Sequence, residues 1–419
     1  MRLYILENSY IRDNAYNYNI THIANEIYVN GISELPIDLK MKIFKGAVVI
    51  PVFRLYLLND DETIRMDISS DFMSGNLSVT YQTGQRRTLS ITLQNFNKKY
   101  TPSPLTGIIW FGTKFRLDAG VVYKDTVYWE QQGIFCVNDP SSTKEVSNHT
   151  IAFSLCDKFG LFSGEIYGRS PLRTIVPTGV PMKQAFHTLL TADRGNGIPW
   201  DFQDIYFNNK YAEQVTYYKL DNSAGNAMGE VFTKLAETIS SDVYYNTTGH
   251  MCVESNVLEF VNNNVPIIYR IEEGDNDLLS VSMSDNWSKM RNKIITKGAI
   301  TNGYQFSASV ENNNPKSPYA IKYCGVVAET IENSSLYADS LCLENSMYEL
   351  VQRSRGVRTL NLSCSYLPFL DVNKGVLITC PSLDINDENY VIDSYSFSCS
   401  NDPKTSISLS NMNEVNIAC

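Results

Sequence analysis

The chain has 419 residues, 43% hydrophobic and 19% charged, with 35 Lys and Arg against 45 Asp and Glu and a net charge of −10. That length exceeds what one core usually fills, so more than one domain is expected, and the ordinary hydrophobic fraction excludes wholesale disorder. No apolar run nears the roughly 20 residues a membrane-spanning helix needs, so no membrane insertion is expected. The acidic balance argues against nucleic-acid binding through a basic patch.

The N-terminal run Met1–Glu7 has neither a sufficient apolar stretch nor a small-residue cleavage site, so no secretory leader is expected. Residues 1–45 are polar, aromatic and irregular, with Asn and Tyr crowded at Asn14–Asn19. They read as an extension or arm without a core of its own.

Residues 46–166 read as β almost throughout. Leu77, Val79 and Tyr81 alternate with Ser78, Thr80 and Gln82. After a turn at Gly84, Leu89, Ile91 and Leu93 alternate with Ser90 and Thr92. A period of two on both sides of a turn predicts an antiparallel hairpin with one buried face. Further strands are expected over 111–118, 126–129, 133–138 and 150–156, a spacing that suits a small barrel or sandwich.

Residues 167–275 change period. Met182, Ala185, Phe186, Leu189 and Leu190 recur at three and four, as do Met228, Val231, Phe232, Leu235, Ala236 and Ile239. Two helices are predicted there, the second running into a hairpin whose turn carries Gly249, which makes an α+β module. Residues 276–419 return to β around a third helix predicted over 337–354. The fold class is therefore mainly β with an α+β insertion: two small antiparallel β-barrels per chain and a helix-hairpin module.

An internal echo supports a duplicated unit. Gly133–Pro140 followed by Ile151–Leu155 repeats in outline as Asn389–Tyr395 followed by Thr405–Leu409. Each is an apolar strand, an Asp/Asn/Ser turn and an alternating closing strand.

Chemical motifs are sparse. The four histidines are His22, His149, His187 and His250, and neither a phosphate-binding glycine loop, a nucleophile elbow nor a zinc-protease helix motif is present. His250 and Cys252 share one face of a strand, but no second pair completes a zinc site. The nine cysteines are scattered without a C-x-x-C and read as reduced thiols. No catalytic, metal or cofactor residue is assigned. Acidic runs at Asp60–Glu62, Glu272–Glu273 and Asp387–Glu388 keep a cell-wall hydrolase open as an alternative, since two carboxylates can act as acid and base. Neighbours on an extended chain point apart, however. Tyr and Trp in β modules leave a carbohydrate-binding receptor as a third reading. Arg86, Arg87, Arg353, Arg355 and Arg358 are candidate subunit-interface residues, because the planar guanidinium pairs well with carboxylates across contacts.

The run Ser74–Val79, then Arg86-Arg87-Thr88, Val127-Tyr128-Trp129 and Gly133-Ile134-Phe135 resembles the opening barrel of baseplate hub proteins of phage tails and phage-tail-like particles. The later order fits as well: a helix into Asp242–Asn246, then Asn292–Gly298, a helix, Val376–Ile378 and Tyr390–Ser398 with Asp402-Pro403-Lys404. The resemblance spans about residues 46–419. It implies a structural, non-enzymatic homotrimer in the virion tail or baseplate, assembled in the host cytoplasm. Three chains with two related barrels each would match the sixfold tail tube on one side and a threefold central spike on the other. The implied partners are the tail tube or distal tail protein, the spike or tip, other baseplate proteins and the tape measure protein, with DNA only as transiting cargo. The chain is expected to lack the receptor-binding or peptidoglycan-cleaving C-terminal domain of longer relatives.

Overall fold

The structure, a computed structural model, describes residues 25–26, 31–46, 49–104, 107–124, 126–144, 149–165, 168–195, 197–207, 212–254, 265–355 and 357–411. Most of the expected arm, residues 1–24 and 27–30, and Cys419 lie outside the described residues.

The first β region runs β1 (Asn25–Glu26), helix α1 (Ile37–Lys45), β2 (Ile50–Leu58), β3 (Ile64–Asp67), β4 (Phe72–Thr80), β5 (Arg87–Gln94), β6 (Lys114–Tyr123), β7 (Thr126–Lys144) and β8 (His149–Asp157). The predicted hairpin is β4–β5. Leu77, Val79, Leu89, Ile91 and Leu93 are buried on one face, and the turn holds Gly84 at φ 88°, where a side chain would be strained.

A middle region follows with β9 (Thr174–Val176), α2 (Met182–Leu190), β10 (Tyr206–Phe207), β11 (Leu220–Asn222), α3 (Met228–Glu237), β12 (Asp242–Tyr245) and β13 (Met251–Glu254). The helical period of the apolar residues puts Phe186 of α2 against Phe232 of α3, ring centroids 5.9 Å apart. These helices close over the β12–β13 hairpin in a core of their own.

The last region comprises β14 (Ile267–Glu272), β15 (Leu278–Asp285), β16 (Lys293–Thr301), β17 (Tyr304–Glu311), α4 (Ile321–Cys324), β18 (Ala328–Glu332), α5 (Asp339–Arg355), β19 (Arg358–Cys364), β20 (Gly375–Cys380), β21 (Ile385–Cys399) and β22 (Thr405–Asn411). Strands β16–β18 form a separate sheet, whose apolar face meets Leu350 and Val351 of α5.

The expected pair of closed barrels is corrected by the strand pairing. Among the described residues no sheet closes on itself; one 14-stranded sheet runs through both β regions in the order β15-β19-β22-β21-β4-β5-β8-β7-β6-β2-β3, with β20 also on β21 and β14 on β20. The junction is β21. It pairs with β20 over Ile385–Val391, and then gives that role to β4, from Ser394 opposite Thr80 to Cys399 opposite Gly75. Alternation in the sequence fixes which face is buried but says nothing about which edge meets which.

The two β regions nevertheless repeat one topology. Numbered one to six in chain order, β2, β4, β5, β6, β7 and β8 lie side by side as 2-3-6-5-4-1, and so do β14, β15, β19, β20, β21 and β22. The irregularities repeat too. Val137 faces Leu155 and Asp139 faces Ser154, which leaves Asn138 as a bulge; Ile392 faces Leu409 and Ser394 faces Ser408, which leaves Asp393 as a bulge. A shift between Phe72 and Ser74 in β4 is matched by one between Leu278 and Ser280 in β15. Since each bulge re-aims its strand, two matched bulges tie the regions together more firmly than matched hydrophobicity would. The difference lies at the last pair, antiparallel for β2–β6 and parallel for β14–β20.

Candidate functional site

The sheet buries one face and leaves the other to solvent, and the solvent face is chemically uniform where the two regions join. Alternating positions there are Ser280, Ser282 and Ser284 of β15, Thr359, Asn361 and Ser363 of β19, Ser406 and Ser408 of β22, and Ser394, Ser396 and Ser398 of β21. They continue as Asn76, Ser78 and Thr80 of β4, Thr88, Ser90 and Thr92 of β5, and Ala152 and Ser154 of β8. Among the described residues these alternating positions hold no Lys or Arg. The carboxylate of the β21 bulge, Asp393, accepts from the Ser410 hydroxyl at 2.9 Å. The face is concave over five of the strands, where residues from Ser78 to Ser408 line a groove of about 350 Å³. Hydroxyls and amides on such a surface exchange bonds with water and carry no fixed charge with which to hold a phosphate.

Sequence reasoning missed this face, though its signal is plain: Ser280-Val281-Ser282-Met283-Ser284, Ser394-Tyr395-Ser396-Phe397-Ser398 and Ser406-Ile407-Ser408-Leu409 alternate hydroxyl with apolar residue.

The candidate arginines fall into two groups. Arg86 and Arg87 are buried at the seam between the first β region and the middle region. The Arg86 guanidinium lies 3.4 Å from the Tyr244 ring centroid and 3.3 Å from Asp242 Oδ2. Arg87 donates to the Tyr245 carbonyl at 2.8 Å and to Asp371 Oδ1 at 2.7 Å. Burial is the largest influence on the Arg87 cation and disfavours it, but Asp371, Tyr395, Asp157 and Tyr244 together outweigh it and hold the pKa above the usual arginine value. Arg353 pairs with Glu329 at 3.0 Å and Arg358 with Asp285 at 3.0 Å, both partly exposed. Arg355 is the last residue of α5, and its side chain lies outside the described residues.

The seam holds a buried ionic network. Lys158 Nζ lies 2.5 Å from Glu62 and 2.7 Å from Asp201, and Glu62 also takes Lys114 at 2.7 Å. Tyr245 donates its hydroxyl to Asp201 at 2.6 Å. Asp157 accepts from the backbone N–H groups of Arg86, Arg87 and Phe159 at 2.8, 2.9 and 3.0 Å. Burial pushes its carboxyl up to about 6 despite those three donors.

The acidic runs are spent locally. Glu273 accepts from the Ser382 N–H at 2.9 Å, Asp387 from the Thr379 hydroxyl at 2.8 Å, and Glu388 from Asn411 Nδ2 at 3.0 Å. Glu272 is half exposed, 3.8 Å from Lys45. His250 bonds the Asp204 carbonyl at 3.0 Å, and among the described residues no group of three His, Cys, Asp or Glu is placed to hold a metal. No helix among them is long and apolar enough to cross a membrane.

The family described as Domain of unknown function (DUF5048) matches residues 316–415, and no curated protein matches the sequence. Three solved structures extend the likeness over most of the chain. The 43 kDa tail protein of prophage MuSo2 from Shewanella oneidensis is 12% identical with TM-score 0.55, covering 87% of this chain and 99% of that one. The tail protein from Neisseria meningitidis MC58 is 8% identical with TM-score 0.57, covering 87% and 98%. The chain has the tail-protein fold. Prophage tail protein gp18 from Listeria monocytogenes EGD-e, at 12% identity and TM-score 0.50, covers 85% of this chain and 94% of its own. The likeness in fold covers 85–87% of the chain, well beyond residues 316–415 that the family model matches.

Proposed function

We propose that this chain is a structural hub of a phage tail or phage-tail-like baseplate, forming a homotrimeric ring around the ejection channel. The observation that carries the reading is the repeated 2-3-6-5-4-1 strand order within one chain. Two equivalent β units per chain let three chains present six similar faces to a sixfold tail tube, while the trimer axis stays threefold for a central spike or tip. In this reading residues 46–166 and 267–411 supply the β units, 168–254 the α+β module, and the residues that precede Gly31 an arm toward a neighbour, since α1 packs on the core of its own chain.

A sheet face without lysine or arginine at its alternating positions suits the wall of such a channel. DNA or tape measure protein must pass without being held, and a wall of lysines would retain phosphates by counterion release. The tail tube or distal tail protein, the spike and other baseplate proteins are the proposed partners, in a virion assembled in the host cytoplasm. The role proposed is non-enzymatic. Sedimentation of the purified chain, alone and with the tube and spike proteins of its particle, together with electron microscopy of the product, tests this. A ring with threefold or pseudo-sixfold symmetry is expected. Monomers under every condition would overturn it.

A further inference from the structure

The duplicated topology has a junction of its own. Within one chain, the second strand of the first region, β4, lies on the edge of the fifth strand of the second region, β21. The converse pair is the second strand of the second region, β15, and the fifth strand of the first, β7. Neither is joined to a strand on the corresponding edge among the described residues. Strand β15 ends the sheet, and β7 over 139–144 has β8 alone beside it.

We propose that the outer edge of β15 in one copy pairs antiparallel with β7 over Asp139–Lys144 in the next, repeating between chains the β4–β21 junction within each. The ring count of three rests on the hub reading; the pairing itself rests on the topology.

The matched bulges fix the register. Asn138 corresponds to Asp393, so Asp139 to Lys144 correspond to Ser394 to Cys399. The shift before Ser74 corresponds to the one before Ser280, so Gly75 to Thr80 correspond to Val281 to Asn286. Transferring the internal junction sets Asp139 opposite Asn286, Ser141 opposite Ser284, and Lys144 opposite Val281 of the neighbour. Ser141 and Ser284 then stand where Ser396 and Ser78 stand within the chain, and the hydroxyl face continues across the boundary. Pro140, opposite Asp285, lacks an N–H and costs the ladder at most one donor.

Among the described residues no strand covers the outer edge of β15. Proteins usually blunt an edge with lysine, proline or a covering segment. Leu278–Asp285 reads Leu-Leu-Ser-Val-Ser-Met-Ser-Asp, with Leu279 51% exposed. A junction that joins unlike edges is head-to-tail and closes into a ring when the rotation between units divides the circle.

Disulfide trapping tests the register. In a Cys324→Ser background, which removes the exposed described cysteine, Ser141→Cys with Ser284→Cys should cross-link between chains on mild oxidation, because opposed residues of an antiparallel pair are close enough to bridge. The measurement is made on the purified chain and on its assembly with tube and spike proteins. Non-reducing gels should show dimers and trimers, and a mixture of the two single variants should stop at dimers. Ser78→Cys with Ser396→Cys, the equivalent pair inside one chain, should close within the monomer and reports correct folding. An oligomer that sediments normally but gives no interchain link, with the internal control closed, would overturn this pairing and leave the hub reading standing. A folded chain that stays monomeric and unlinked throughout would overturn both.

Discussion

Arg87 and Arg358 occupy the same position of the repeated topology and have opposite environments. Each begins the third strand of its region, two residues before the leucine that faces Leu155 in one case and Leu409 in the other. Arg87 is 1% exposed and bridges Tyr245 to Asp371, whereas Arg358 lies at the sheet's free end, paired with Asp285 of β15. The repeated topology holds an arginine at both positions, and the middle region covers only one of them.

That asymmetry predicts different consequences for one substitution. Arg87→Ala leaves the Tyr245 carbonyl without its buried donor, while Asp371, at 37% exposure, can turn to water; the change should cost about 1–3 kcal/mol in urea denaturation. Arg358→Ala removes a solvent-screened pair and should change the monomer's stability by less than about 1 kcal/mol. It should weaken self-association instead, seen as a shift of the sedimentation midpoint to higher protein concentration.

The middle region is fastened through Lys158. Its ammonium serves Glu62 and Asp201, whose side chains are 4% and 0% exposed. Lys158→Met leaves buried Asp201 without its lysine and Glu62 with Lys114 alone, and should destabilise by about 3–5 kcal/mol, with protease cleavage appearing first between residues 167 and 265. Tyr245→Phe, which deletes a single donor to Asp201, should cost about 1–3 kcal/mol.

Asp157 gives the seam a pH dependence of definite sign. Its folded pKa of about 6 stands above the ordinary 3.8, so the native state holds this proton more tightly than the unfolded chain. The group's favourable contribution is complete below pH 3.8 and lost as pH rises through about 6. Between pH 5 and 7 the wild type should therefore lose about 1 kcal/mol relative to Asp157→Asn, read as the difference between the two urea midpoints at each pH. An unchanged difference across that interval would show that the carboxyl titrates elsewhere.

The β4–β5 hairpin and both helices of the middle region were legible because their periods of two and 3.6 are local properties of Leu77–Leu93, Met182–Leu190 and Met228–Ile239. The Gly133/Asn389 echo was legible for the same reason, and in the structure it aligns to the residue through the Asn138 and Asp393 bulges. Pairing between distant edges was not legible. Nothing local in Ser394–Cys399 distinguishes a partner in β20 from one in β4, so two separate barrels were expected where one sheet continues. The arginines were chosen as a class suited to interfaces, but burial decides their use. Arg86 and Arg87 face tyrosines and carboxylates of the same chain, a juxtaposition created by residues more than 150 positions away. The hydroxyl face went unread because serine alternation looks like an ordinary solvated strand until several such strands lie side by side.

That face yields the most direct functional prediction. Ser90, Ser282 and Ser406 are exposed and stand on three strands of the same surface, so Ser90→Lys, Ser282→Lys and Ser406→Lys together should leave the fold intact. Each lysine has room in solvent, and surface changes of this kind usually shift stability by less than about 0.5 kcal/mol. What changes is the electrostatics. Three cations per chain on this face would neutralise phosphates of a passing strand, and the observed affinity for single-stranded DNA would then fall with log salt by a slope of about 0.7 for each phosphate engaged. The wild-type chain should show no measurable salt-dependent retention of DNA under the same conditions, and particles carrying the triple variant should eject their contents more slowly. If the wild-type chain already retains DNA with a steep salt slope, cations elsewhere face the channel, and a wall without lysine or arginine cannot be what lets the cargo pass.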